Sequence, residues 1–399
     1  MRKLITFLGK VARTTQYQWQ DQIFEGRVFA EALRQFVHYD KMLVFLTAEA
    51  RETTYPMLAA LQDPRIEPID IPDGRTSAEM WQTFSRLTEV VADEDVLIFD
   101  ITHGFRSIPF FVFLAVAFLK SVRQAEIEAV YYGALELDQP APVLDLTEFV
   151  NLLDWMNASD QFVQYGNAQG LVSLLQAQAS RAHEAEPEDA ASLHNAAQQL
   201  DETSRALRLL IPDQAMRASH RLETSLPLAA DAYAQYAHPF VTLSEKVMAA
   251  YRPLALRQPR HAQQIKVVLQ RERTLIFWYL ERHLLLQAIA LAREWLISWG
   301  LLWAGSDSLH VGGDRAEMSQ AFREVNQAGK LVEQVTFKNG SRLSYFPQIQ
   351  LALSLYERIG KVRNDLCHAG QTVHQPQNPL TREQAIHNLC LELKKLPLE

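Results

Sequence analysis

Four consecutive apolar residues, Val96-Leu97-Ile98-Phe99, restrict the fold more than any other feature of the chain. A strand with one wet face alternates apolar and polar residues, so an unbroken run belongs to a central parallel strand covered on both sides. Pro109 follows closely and fits the first turn of a helix, where a missing N–H costs nothing. Leu4 to Leu8, Met42 to Leu46, Ile66 to Ile71 and Ile127 to Tyr132 are similar short runs, separated by stretches long enough for helices. The rhythm is βαβ, and the fold class expected for the first part is α/β, a doubly wound Rossmann-like sheet.

After Thr147, a good helix N-cap, the pattern turns helical. Ala168 to Leu210 carries apolar residues at helical spacing, and the acidic stretch around Pro187 reads as a solvated loop. From Ile265 a long amphipathic helix is expected through Leu275, Leu280, Ile289 and Trp295 towards Gly300. A second runs from about Pro347 to His368, with Gly370 just beyond it. A chain of 399 residues, 48% hydrophobic, is too long for one core. Three domains are expected: 1–166 α/β, 167–264 a helical linker, and 265–399 all-helical.

Lys and Arg number 39 against 47 Asp and Glu, and the net charge of -8 argues against a protein that coats duplex DNA. Only Cys367 and Cys390 occur, too few for a disulfide framework, which fits a reducing cytoplasm. The opening MRKLITFLGK has no small-residue cleavage site and reads as a strand rather than a signal peptide. Ile108 to Leu119 falls short of the roughly 20 residues of a membrane span, so no membrane role is expected.

In a doubly wound sheet, ligands bind beyond the carboxyl ends of the strands, here at Gly9 to Thr15, Thr47 to Glu49, Thr102 to Ser107 and Gly133 to Glu136. The segment Asp100-Ile-Thr-His-Gly-Phe-Arg-Ser-Ile-Pro109 sits at such an end. Thr102 and Ser107 offer hydroxyls and Gly104 allows close backbone approach. His103 or Arg106 can pair with phosphate or hydrogen-bond a base. The same residues also suit a plain polar turn, with Thr102 capping, Asp100 holding amides and Arg106 solvated. Gly9 is followed by Lys10, Val11 and Ala12, so no G-x-G-x-x-G is present and ordinary dinucleotide binding loses support.

A second constellation is Arg363-Asn364-Asp365-Leu366-Cys367-His368 near a helix end. Metal-free RNA cleavage needs an acid or base near neutral pH, and a fixed cation for the crowded phosphate. Histidine, ordinarily titrating at about 6.5, and arginine supply these. Asn364 and His368 share a helix face while Arg363 points away, so a single copy looks cramped and two copies across a two-fold axis would complete the site. On its own the string also fits a last-turn cation and a surface Arg. His283 is a weaker helper candidate. His310, His374 and His387 lack metal-ligand spacing, and no metal or cofactor is expected.

Asp100, Thr102, His103 and Gly104 form an Asp-x-Thr-His-Gly motif that resembles the CRISPR-associated proteins with a CARF sensing domain. Leu8-Gly9, Val44 to Thr47 and Tyr132 to Glu136 extend the resemblance over roughly 1–166. It implies a dimer with a cyclic oligoadenylate lying across its axis, cyclic tetraadenylate before cyclic hexaadenylate. The ring would be lined by Thr102, His103, Gly104, Phe105 and Arg106 together with Gly9, Lys10 and Thr47.

Behind such a domain, the R-x-x-x-x-H string resembles the catalytic motif of HEPN ribonucleases, with Asn364 matching the polar residue beside the Arg. That resemblance implies single-stranded RNA as substrate and a homodimer, or a multiple of dimers, as the active form. His368 would be the general acid or base, Arg363 the charge stabiliser and Asn364 the orienting group. A ligand-sensing transcription regulator and a non-catalytic nucleotide-binding scaffold are the competing readings. The first lacks an evident recognition helix.

Overall fold

The computed structural model describes all residues except 105–106, 184, 262–264, 307, 311, 329 and 369–377. The chain divides into two compact units, Met1–Leu153 and Asp154–Glu399.

The first unit is built on strands β1 (Arg2–Leu8), β2 (Thr15–Trp19), β3 (Gln22–Gly26), β4 (Lys41–Leu46), β5 (Ile66–Asp70), β6 (Val96–Asp100), β7 (Glu126–Gly133) and β8 (Ala141–Asp145). They form one sheet in the order β3-β2-β8-β7-β6-β1-β4-β5. From β7 to β5 every pairing is parallel, and β1 lies between β6 and β4. The helices are α1 (Phe29–Phe36), α2 (Ala48–Thr53), α3 (Tyr55–Ala59), α4 (Ser77–Val90) and α5 (Ile108–Arg123), with α6 (Thr147–Tyr165) crossing out of the unit.

Strand alternation explains the two layers. Ile5 and Phe7 share a core with Leu87 of α4 and Val112 and Leu119 of α5. Leu4 and Leu8 share the opposite core with Leu33 of α1, Ala50 of α2 and Leu58 of α3. The expected doubly wound Rossmann-like sheet is therefore present, as a mixed, mostly parallel one. The β2–β3 hairpin and β8 were not anticipated. β8 runs antiparallel to β7, and β2 joins β8 through Tyr17 and Ala141. Tyr17 is fully buried against Phe29, with ring centroids 4.8 Å apart.

The second unit is all-helical: α7 (Gln169–Ala182), α8 (Pro187–Arg208), α9 (Pro212–Ser225), α10 (Ala230–Tyr236), α11 (His238–Tyr251), α12 (Ile265–Glu281), α13 (Leu285–Trp303), α14 (Gly312–Ala328), α15 (Ile349–Cys367) and α16 (Pro379–Glu392). One hydrophobic core runs from Trp155 to Leu398. The helices of 167–264, expected as a linker, thus share a core with those of 265–399.

The single helix expected from Ile265 to Gly300 is two helices. His283 adopts a left-handed backbone (φ 55°) between α12 and α13. Arg282 fixes the turn, with its Nε donating to the Val163 carbonyl at 2.9 Å and its guanidinium 4.1 Å from the Trp278 ring. Folding back is favoured because α13 is apolar nearly all round: Ile289, Trp295, Leu296 and Trp299 are all buried, and Leu275, Ile276 and Tyr279 of α12 belong to the same core. By length and composition α13 could cross a bilayer, yet it packs as a core helix.

Candidate functional site

β6 ends at Asp100, whose carboxylate is fully buried. Its Oδ2 accepts from the Thr6 hydroxyl at 2.6 Å and its Oδ1 from the Thr102 amide at 2.8 Å. Burial pushes this carboxyl above the usual carboxylate range. Thr102 Oγ1 accepts from the Gly133 amide at 2.8 Å, tying the end of β6 to the end of β7.

His103 Nε2 accepts from the Phe29 amide at 3.0 Å, at the start of α1. An accepting ring nitrogen carries no proton, so the imidazole is neutral with its proton on Nδ1. Burial holds the ring below the ordinary histidine range, against the pull of Asp100. A neutral ring cannot ion-pair with phosphate. The Nδ1–H of the neutral ring remains a hydrogen-bond donor, suited to a base or to a phosphate oxygen alike.

Gly104 has φ +115°, a region disfavoured for residues with a Cβ. A Cβ on Gly9 would lie 3.3 Å from the Gly104 amide nitrogen, so the two glycines let the ends of β1 and β6 approach closely. Around them opens a cavity of about 390 Å³, lined by Gly9, Lys10, Thr47, Thr102, His103 and Gly104. Thr47 is buried as the N-cap of α2, accepting from the Ala50 amide at 3.3 Å. Lys10 Nζ is 3.5 Å from Glu49 Oε1, both largely exposed. Phe105 and Arg106, the remaining expected contacts, lie outside the described residues. The sequence reading missed Asp73 and Arg75, which line the same cavity from beyond β5 and pair with each other at 2.7 Å. Their place after β5 was the available signal.

In the second unit, Arg363 Nη1 donates to Asn364 Oδ1 at 3.0 Å, so the Arg that points off the shared face is drawn back onto Asn364. His368 is the C-cap of α15; its amide donates to the Asn364 carbonyl at 2.9 Å and its side chain is exposed. Gly370 and His374 lie outside the described residues. Next to Asn364 a cavity of about 220 Å³ is lined by residues the sequence reading did not single out, among them Arg293, Arg323 and Gly360. They come from three helices, so no local string could reveal them.

His283 Nδ1 is 2.8 Å from Glu383 Oε1 of α16 and lines neither cavity. His310 Nε2 is 3.6 Å from Asp213, and His387 lines a separate cavity with Trp278 and Arg282. Among the described residues no group of three or more His, Cys, Asp and Glu side chains gathers as a metal ion would require.

Residues 151–253 match the family described as CRISPR-associated protein MJ1674, second domain. The CRISPR-associated protein MJ1674 of Methanocaldococcus jannaschii is 32% identical over 109 residues, spanning 26% of this chain and only 17% of that protein. Among solved structures, Enterococcus italicus Csm6 bound to cyclic hexa-2'-fluoro-hexa-dAMP is similar with a TM-score of 0.43 and 9% identity, over 99% of this chain and 93% of that one.

Proposed function

We propose that the protein is a metal-independent endoribonuclease, switched on by a cyclic oligoadenylate and serving type III CRISPR antiviral defence in the cytoplasm. The observation that carries this reading is the cavity where the carboxyl-end loops of β1, β4 and β6 converge on Asp100, Thr102, His103 and Gly104. Glycine backbone, hydroxyls and a neutral imidazole suit a ligand of bases and phosphates. The similarity of residues 151–253 to a CRISPR-associated protein supports the defence setting. Sparse thiols support the cytoplasm.

A ring of four adenylates exceeds a cavity of about 390 Å³, which supports sharing of the ligand by two copies across a two-fold axis. Phe110, Leu114, Phe118 and Val122 form an exposed apolar stripe along α5, beside exposed Trp81. Such a stripe suits burial in a dimer. In the second unit the Arg363–Asn364 contact next to exposed His368 supports the catalytic assignment. The RNA 2'-oxygen bonds to the adjacent phosphorus as the P–O5' bond breaks, leaving a 2',3'-cyclic phosphate. The 2'-hydroxyl proton is lost and the departing 5'-oxygen gains one, with His368 as the acid or base, while Arg363 balances the developing charge and Asn364 orients the Arg. Activation requires only that the ligand favour the cleavage-competent dimer over the idle one.

Calorimetric titration with cyclic tri-, tetra- and hexaadenylate tests the sensing half. Cyclic tetraadenylate is expected to bind at one ring per two chains. Gly9→Leu, which crowds the Gly104 backbone, is expected to weaken it at least about tenfold. If none of the three rings binds, or if Gly9→Leu binds as the parent does, the cavity is not the sensor.

A further inference from the structure

The 220 Å³ cavity beside Asn364 is lined by two arginines and a lysine, Arg293, Arg323 and Lys361. Arg293 of α13 is held in place twice: one Nη donates to Glu294 at 2.7 Å and the other to the Tyr356 hydroxyl at 3.0 Å. The Tyr356 hydroxyl is itself 2.8 Å from Ser319 Oγ. Arg323 of α14 spends only its Nε, on the Ser319 carbonyl at 3.3 Å, and among the described residues has no carboxylate partner. Lys361 of α15 pairs with Glu357, the one carboxylate in the lining, at 2.7 Å. Arg293 and Lys361 are thus each ion-paired, with Glu294 and Glu357, and Arg323 is the lining cation that among the described residues keeps its charge uncompensated.

Gly360 gives the independent observation. It sits inside α15, where glycine is the poorest helix former after proline. A Cβ there would meet nothing within 4 Å, so packing does not demand the glycine. Its visible effect is to keep the lining of the cavity low.

We infer that this cavity is a binding subsite for a backbone phosphate of the RNA strand, with Arg323 and Arg293 as its cations and Gly360 letting the strand lie against α15. The inference rests on the ribonuclease reading for the strand's identity. The cavity is smaller than the roughly 300–1,000 Å³ of a self-contained small-molecule site, as suits one unit of a longer ligand. Gly360, Asn364 and His368 repeat every fourth residue on one helix face, with about 12 Å of rise from first to last. A strand held at Gly360 is thereby led along the helix to His368.

The test uses the His368→Ala protein with cyclic tetraadenylate present, titrated with fluorescent single-stranded RNA over a range of salt. Adding Arg323→Ala is expected to weaken binding about tenfold for every RNA sequence and to reduce the salt slope by about 0.7. Gly360→Leu is expected to weaken it similarly without lowering the melting temperature, since leucine favours the helix and meets open space. With His368 restored, Arg323→Ala should raise KM more than it lowers kcat. Unchanged affinity and slope in both variants, while the parent still cleaves RNA, would overturn the subsite and leave the ribonuclease standing. Arg323-dependent RNA binding by a parent that never cleaves would keep the subsite and overturn the ribonuclease.

Discussion

His368→Ala is expected to lower cyclic-oligoadenylate-stimulated RNA cleavage by about 10²–10⁴-fold, the range in which a positioned acid or base contributes. The imidazole stands exposed at the end of α15, one turn beyond Asn364, and among the described residues nothing hydrogen-bonds it. It therefore contributes little to folding, and the variant should melt with the parent. Arg363→Ala should fall in the same range, because the guanidinium held on Asn364 is the motif's only fixed cation. The double variant should lose little more than either single one, since groups acting on one phosphate are not additive. Single-turnover cleavage of labelled RNA reads all three. A His368→Ala rate within threefold of the parent would remove His368 from the chemistry.

The second large effect concerns stability. Glu272 lies on α12, buried in the second unit, and its carboxyl is pushed up to about 8. Burial is the main cause; Asp213 and then Glu294 add repulsion, and Arg315 opposes them. Among the described residues Asp213 Oδ1 accepts no hydrogen bond, while its Oδ2 is 2.7 Å from Arg260 Nε.

The sign follows from linkage. The folded protein keeps the Glu272 proton up to about pH 8, whereas the unfolded chain releases it near the ordinary value of 4.5. Unfolding therefore releases a proton between those limits. Stability is fully present below about pH 4.5, declines steadily above it, and the loss is complete once pH passes 8. At about 1.4 kcal/mol for each tenfold step in proton affinity, the charged carboxylate costs several kcal/mol. Glu272→Gln should abolish that loss and melt roughly 5–10 °C above the parent at pH 9, with near parity at pH 5. Parallel melting curves across pH 5 to 9 would show that Glu272 is charged in the folded protein.

The sequence made the parallel core of the first unit legible, because the runs of β1, β4 and β6 are buried on both faces and carry an unmixed apolar signal, whereas β5 and β7, with exposed Glu67, Asp70, Glu126 and Glu128, were placed by their spacing. The hairpin of β2 and β3 escaped although Thr15-Gln-Tyr-Gln-Trp alternates cleanly. Its assignment depends on pairing with β8, well over a hundred residues away. The turn at His283 was hidden because apolar spacing continues straight through it; only packing against α12 makes the break favourable. Position in the sheet located the first site, but not the state of His103, whose hydrogen-bond partner Phe29 is 74 residues distant in sequence. The second candidate site was proposed from one local string, Arg363, Asn364 and His368, whereas Arg293 and Arg323 come beside Asn364 only through the packing of α13 and α14 against α15.

Product analysis in EDTA tests the central claim most directly. The full chain is incubated with end-labelled single-stranded RNA, without nucleotide or with cyclic tri-, tetra- or hexaadenylate, and the new ends are identified. Cleavage that depends on the nucleotide, proceeds without divalent cations and leaves a 2',3'-cyclic phosphate and a 5'-hydroxyl is the expected result. RNA left intact with every ring size, or cut only after magnesium is restored and with 5'-phosphate ends, would contradict it.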